Sequence, residues 1–157
     1  MNVIGLGMSR IPDDRVMRAW ARLVRAQDAV MTAVERALKS ADLPSLSWYD
    51  ALLEIERSGE DGIRPFELEK ELLLPQYGLS RLLSRLENAG YTVRKSARDD
   101  GRGHRVAITD EGSRIRKAMW PVYAQAIDDS FAAHLTSGEI GLLTEALGKI
   151  VAGNRIG

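Results

Sequence analysis

The sequence predicts a mainly α chain with one small β-hairpin, and three observations carry that reading. Apolar residues recur at three- and four-residue steps in six separate runs. The step shortens to alternation in a single stretch after Gly90. Pro and Gly punctuate most of the joints between runs. At 157 residues with 45% hydrophobic content, the chain has the length of one domain and enough apolar material for a core.

The first run, 11–39, carries Val16, Met17, Trp20, Leu23, Val24, Val30, Met31, Val34 and Leu38. This spacing predicts one long amphipathic helix, with Pro12, Asp13 and Asp14 in its first turn. A helix of that length extends about 40 Å, more than a small core covers, so part of it is expected to pack on a partner subunit. Ser47 is read as the cap of a short second helix with Asp50 in its acidic start, and Trp48, Ala51, Leu52 and Ile55 form its stripe. Pro65 opens a third helix carrying Phe66, Leu68 and Leu72, which stops at Leu74 because the next residue is Pro75. A fourth helix is expected from Pro75, with Leu79, Leu82, Leu83 and Leu86 as its stripe and Gly90 as its stop.

Alternation then places Tyr91 and Val93 on one side of a strand and Thr92 and Arg94 on the other. Val106 and Ile108 alternate with Arg105 and Ala107 in a second strand. The two form a hairpin with a long charged tip. Thr109 caps a fifth helix with the stripe Ile115, Met119, Val122, Ala126 and Ile127, and Pro121 within it predicts a kink. Thr136 to Glu139 matches a capping box, opening a last helix with Ile140, Leu143, Leu147, Ile150 and Val151.

Charge and composition narrow the function. Lys plus Arg and Asp plus Glu number 22 each, which argues against a polybasic or acidic tail. The balance is not even along the chain, however. Residues 76–109 hold Arg81, Arg85, Arg94, Lys95, Arg98, Arg102 and Arg105 against Glu87, Asp99 and Asp100, a local +4 that leaves −4 for the other 123 residues. Two short helices followed at once by a basic hairpin is the order helix-turn-helix then wing, a device for laying a helix in a DNA major groove. The absence of cysteine excludes disulfides, thiolate metal sites and thiol chemistry. Residues 1–9 show no basic leader, and no apolar run reaches about 18 residues, so a cytoplasmic protein is expected.

Residues 46–112 resemble the winged helix-turn-helix of the MarR family of bacterial transcriptional regulators. The resemblance rests on Pro65-Phe66-Glu67-Leu68, on the run from Leu79 to Glu87, and on Asn88-Ala89-Gly90-Tyr91. Its most specific part is the spacing from Asp99-Asp100-Gly101-Arg102 to Ile108-Thr109-Asp110-Glu111-Gly112. It implies a single MarR-like domain over 1–157, with 11–45 and 113–157 as helical dimerisation region and 46–112 as DNA-binding lobe. It further implies a homodimer acting on pseudo-palindromic double-stranded DNA and released by a small-molecule effector, most often as a repressor. Pro75, Tyr77 and Gly78 replace the Ser, Pro and Thr often found near the start of the family's recognition helix, and Leu73 stands where its turn often has Gly. These departures bear on which operator is read.

With the fourth helix entering the groove amino end first, Gln76, Tyr77, Ser80 and Arg81 lie nearest base edges, and Gln and Arg pair with adenine and guanine. Gly78 costs about 1 kcal/mol relative to Ala inside a helix, which fits either close backbone approach to DNA or variation tolerated by packing. Arg85 is assigned to phosphate. The competing reading for Arg81 and Arg85 is an ion pair with Glu87 or another surface acid. The resemblance makes Arg102 the arginine that reaches the minor groove and Asp100 the aspartate that steadies the wing. Arg98, Lys95 and Arg105 add phosphate contacts, and His104 is read either as a pH sensor or as a solvent- or phosphate-facing side chain.

For the effector, the resemblance points to the space between the first, second and fifth helices, where Trp48 and Tyr49 stand out, with Trp20 and Trp120 after them. The same aromatics also suit plain packing. No phosphate-binding Gly loop is present, and the two histidines, His104 and His134, lie in different segments, so no enzyme, cofactor or metal is expected. The alternative of another class is a winged-helix interaction module whose basic face takes an acidic protein.

Overall fold

The computed structural model describes residues 10–96 and 103–155. Its elements run α1 (Asp14–Ser40), α2 (Leu46–Arg57), α3 (Pro65–Glu71), α4 (Leu79–Asn88), β1 (Thr92–Ser96), β2 (His104–Ile108), α5 (Asp110–Ser130), a single 3-10 turn (Ala132–His134) and α6 (Ser137–Gly153). This is the mainly α architecture with one antiparallel hairpin that the periodicities predict.

Helix starts follow local chemistry, with corrections. In α1 Asp13 is the cap, accepting a hydrogen bond from Val16 N at 2.9 Å, so Pro12 and Asp13 precede the helix rather than form its first turn. In α2 the helix begins at Leu46, ahead of Ser47. The Glu35 carboxylate reaches across from α1 to accept from Leu46 N at 3.0 Å, a cap invisible to a search for local Ser or Asp. Thr109 caps α5 as expected, accepting from Gly112 N, and its hydroxyl also donates to Gly90 O at 2.6 Å. A Cβ on Gly112 would lie 2.1 Å from Tyr91 O, so the Thr-x-x-Gly spacing is what lets α5 start against the wing's entry strand. Thr136 and Glu139 form the expected capping box of α6. Helix α5 continues through Pro121 as one element.

Two apolar clusters share α2 as a wall. On one side Ala51, Leu52 and Ile55 pack with Leu68, Leu82, Leu83, Leu86 and Val106, which ties α3, α4 and the wing into a lobe. On the other, Leu46 and Tyr49 pack with Val34 and Leu38 of α1 and Met119 and Ala126 of α5. Burying each such leucine contributes about 1.5–3 kcal/mol. In the hairpin Thr92, Val106 and Ala107 are buried, while Val93, paired with Ala107, and Arg94, paired with Val106, are exposed. The first half of α1 and all of α6 are different. Val16, Met17, Trp20, Val24, Leu142, Ile150 and Val151 are all exposed, and α6 contributes no buried residue.

Candidate nucleic-acid interface

The candidate face of α4 is defined by burial of the opposite one. Leu82, Leu83 and Leu86 bury one side of α4, which leaves Ser80, Arg81, Ser84 and Arg85 along the other, around an open groove of about 320 Å³. Ser80, Arg81 and Arg85 are exposed. The ion pair expected as the alternative does not form. Glu87 is taken by Arg94, whose Nε lies 2.9 Å from its carboxylate, and neither Arg81 nor Arg85 pairs with an acid among the described residues. Two unneutralised guanidinium groups one turn apart on an exposed helix face make a site for phosphate or base acceptors.

The start of α4 requires a correction. The helix opens at Leu79, not Pro75, and Gly78 is its cap, with φ 90° and ψ 47°. Gln76 and Tyr77 therefore belong to the turn ahead of the helix, where Tyr77 is wholly exposed. A Cβ at Gly78 would meet only Arg81 Cδ, at 3.9 Å, so glycine is favoured here by the left-handed backbone and not by crowding. The cost that glycine would carry inside a helix does not arise.

Three contacts fix the wing to the helical lobe. Ile63 and Val106 exchange backbone hydrogen bonds at 2.9 Å, a single bridge that lays the α2–α3 loop alongside β2. Gly62 permits that approach, because a Cβ there would lie 2.5 Å from Val106 O, and its φ is +76°. Lys95 Nζ donates to Glu60 O, and Arg105 donates to Gly62 O at 3.2 Å. Both cations thus engage the loop with one donor each. Arg98, Asp100 and Arg102 lie outside the described residues.

Sequence reasoning missed the groups that hold this arrangement from behind. Asp50 is buried, and its two carboxylate oxygens accept from Leu73 N at 3.1 Å and Leu74 N at 2.8 Å, in the turn before α4. It does not serve the first turn of α2, as its position suggested. Glu56 of α2 accepts from Ser113 Oγ at 2.5 Å and pairs with Arg116, both on α5. Burial raises the Glu56 carboxyl, but the hydrogen bonds from Ser113 and Arg116 and the charges of Arg116 and Lys117 outweigh it, so its pKa is lowered. No side-chain spacing signals Asp50, whose partners are main-chain amides 23 and 24 residues on.

The structure does not bring Trp48 and Tyr49 to one pocket. Trp48 packs edge-on against Tyr91 at 5.9 Å on the lobe side. Tyr49 faces the other cluster, stacked on Trp120 at 6.2 Å and edge-on to Tyr123 at 5.2 Å. An open concavity of about 530 Å³ lies elsewhere, between α1 and the α1–α2 loop, lined by Thr32, Glu35, Arg36, Lys39, Leu43 and Ser45. Among the described residues no three potential metal ligands gather, and no helix is long and apolar enough to cross a membrane.

A family model described as MarR family matches residues 41–103. An uncharacterized HTH-type transcriptional regulator of Bacillus cereus is 28% identical over 131 residues, covering 83% of this chain and 85% of the relative. Among solved structures, Sco3205, a MarR family transcriptional regulator from Streptomyces coelicolor in complex with DNA, superposes with a TM-score of 0.84 at 22% identity. That alignment covers 94% of this chain and 92% of the other. The organohalide-sensing transcriptional regulator RdhR-CbdbA1625, in its 2,4-dichlorophenol-bound form, gives 0.77 at 18% identity, over 98% and 90%.

Proposed function

We propose that the chain, whose residues 41–103 match a MarR family model, is a transcriptional regulator of that family, a cytoplasmic homodimer that binds a pseudo-palindromic operator in double-stranded DNA as an effector-responsive repressor. The observation that carries this reading is the α4 face, where Arg81 and Arg85 stand exposed with no carboxylate partner among the described residues while Glu87 on the same helix is engaged by Arg94. In this proposal Gln76, Tyr77, Ser80 and Arg81 approach base edges, with Gly78 setting their direction, and Arg85 meets phosphate. Lys95 and Arg105 each use one donor on the α2–α3 loop and have others for the DNA backbone, joined by Arg98. Arg102 enters the minor groove, and Asp100 positions a wing arginine.

Dimerisation is supported by the exposed apolar residues of α1 and α6, which a second copy would cover. The effector is supported by the likeness to a regulator solved with 2,4-dichlorophenol bound. Tyr49, Trp120 and Tyr123 are the aromatic group to look at first, while Trp48 is engaged with the wing. Catalysis has no part in this reading.

The test is selection of duplexes from a fragmented genomic pool by the purified protein. The proposal expects enrichment of a sequence with two related half-sites about one helical turn apart. It expects Arg102→Ala to weaken binding to all duplexes alike, and Gln76→Ala or Arg81→Ala to relax the preference. A protein that enriches no sequence, and retains an acidic polypeptide instead, overturns it.

A further inference from the structure

The turn before α4 is long and carries little local structure. Helix α3 ends at Glu71 and α4 opens only at Leu79, so seven residues, 72–78, aim the recognition helix. Leu72 is extended, with φ −62° and ψ 134°, and Pro75 offers no N–H. Leu72 packs against the lobe cluster and Leu74 against the cluster shared by α1, α2 and α5, while Leu73 between them is exposed. The main-chain donors of Leu73 and Leu74 have no backbone acceptor; both go to Asp50.

We propose that Asp50 is the positioning residue of the recognition helix. Its carboxylate, held on α2 at the junction of the two apolar clusters, fixes the turn and thereby the angle at which Ser80, Arg81 and Arg85 meet a duplex. The inference rests on the DNA-binding reading above and deepens it. Three features of the geometry support the assignment. The group is 6% exposed, so water does not compete for its oxygens. Each oxygen takes a different amide, 3.1 and 2.8 Å away, which restrains the turn in two places at once. Its host helix is packed on both sides and capped from α1 by Glu35. A base-reading side chain displaced by even about 1 Å loses its paired hydrogen bonds, whereas a phosphate contact follows the flexible cation. Asp50 is therefore expected to govern sequence discrimination more than overall affinity.

Asp50→Asn separates these effects. The amide keeps the shape and one acceptor, but its NH2 faces an N–H where an oxygen was. Binding of the intact protein is measured on two duplexes, one selected by the wild type from a randomised pool and one with the same bases scrambled. Expected is a roughly tenfold loss on the selected duplex, no more than about a twofold change on the scrambled one, and an unchanged salt slope on both, since no phosphate contact is removed. Amide hydrogen exchange without DNA should quicken at Leu73 and Leu74 while the buried amides of α2 stay protected. Asp50→Glu, which restores the charge on a longer arm, should recover part of the discrimination. Equal losses on both duplexes with exchange quickened throughout α2 would mean that Asp50 merely holds the fold together. Unchanged discrimination, or unchanged exchange at Leu73 and Leu74, would overturn the assignment. A wild type that selects no duplex would instead overturn the DNA-binding reading, and exchange at the two amides would still decide whether Asp50 anchors the turn.

Discussion

The winged lobe and the terminal helices are written in the same amphipathic code, yet one covers its apolar stripe and the other does not. Leu82, Leu83 and Leu86 of α4 are buried within the chain, against α2, α3 and β2. In α6 the same spacing leaves Ile150 and Val151 half exposed and Ile140, Leu143 and Leu147 only partly covered, with Leu142 beside the stripe exposed. In α1 the stripe is covered only from about Val30 onward. Periodicity thus says that a helix has a face to bury; whether the cover comes from the same chain depends on which elements the topology places beside it. The α4 stripe is covered within one chain, although Phe66 of α3 stays exposed, whereas the stripes of α6 and the first half of α1 are not fully covered.

Substitution inside the lobe breaks this contrast most strongly. Leu86 is fully buried, and Leu86→Ala should destabilise the fold by about 2–5 kcal/mol, read by denaturant unfolding. The loss should not depend on protein concentration. Next in size, Leu142→Glu combined with Ile150→Glu should convert a dimer to monomers in sedimentation at micromolar concentration while the far-ultraviolet helix signal stays largely intact. A wild type that is already monomeric would show that the ends are covered by something else. A smaller effect concerns the seam between the two regions. Because the folded pKa of Glu56 is lowered, its contribution to stability is fully present above its ordinary value of 4.5 and is lost as pH falls through the folded value. Glu56→Gln should therefore flatten the acid limb of the stability profile below about pH 4.5 and leave the pH dependence above about 6 as it was.

Much of the fold was legible because its signals are local. The six apolar runs, Pro65 as a first helical residue, the Thr136–Glu139 capping box and the change of period at the wing are all read within a few residues of where they act. The failures have a common cause, which is that the deciding partner lies far along the chain. Glu35 moves the start of α2, and Asp50 holds a turn more than twenty residues away. At α4 the discrepancy is different in kind. Pro75 reads as a helix opener, but Gly78 in the left-handed region places the boundary further along the chain. The exposed Arg81 and Arg85 follow from the stripe alone, since the buried face of a helix defines the opposite one. That Lys95 and Arg105 lean on the α2–α3 loop could not be read, because main-chain acceptors leave no mark in a sequence.

If the exposed Arg81 and Arg85 guanidinium groups on α4 meet a duplex polyanion, as proposed, salt titration of binding will register it. With a duplex selected by the wild type, Arg85→Ala should lower the slope of log affinity against log salt by about one and weaken scrambled duplex in parallel. Arg81→Ala should keep affinity for scrambled duplex within a few fold while losing about 1–3 kcal/mol on the selected one. Slopes and preferences that match the wild type in both variants would place the nucleic acid, if it binds at all, on another face of the molecule.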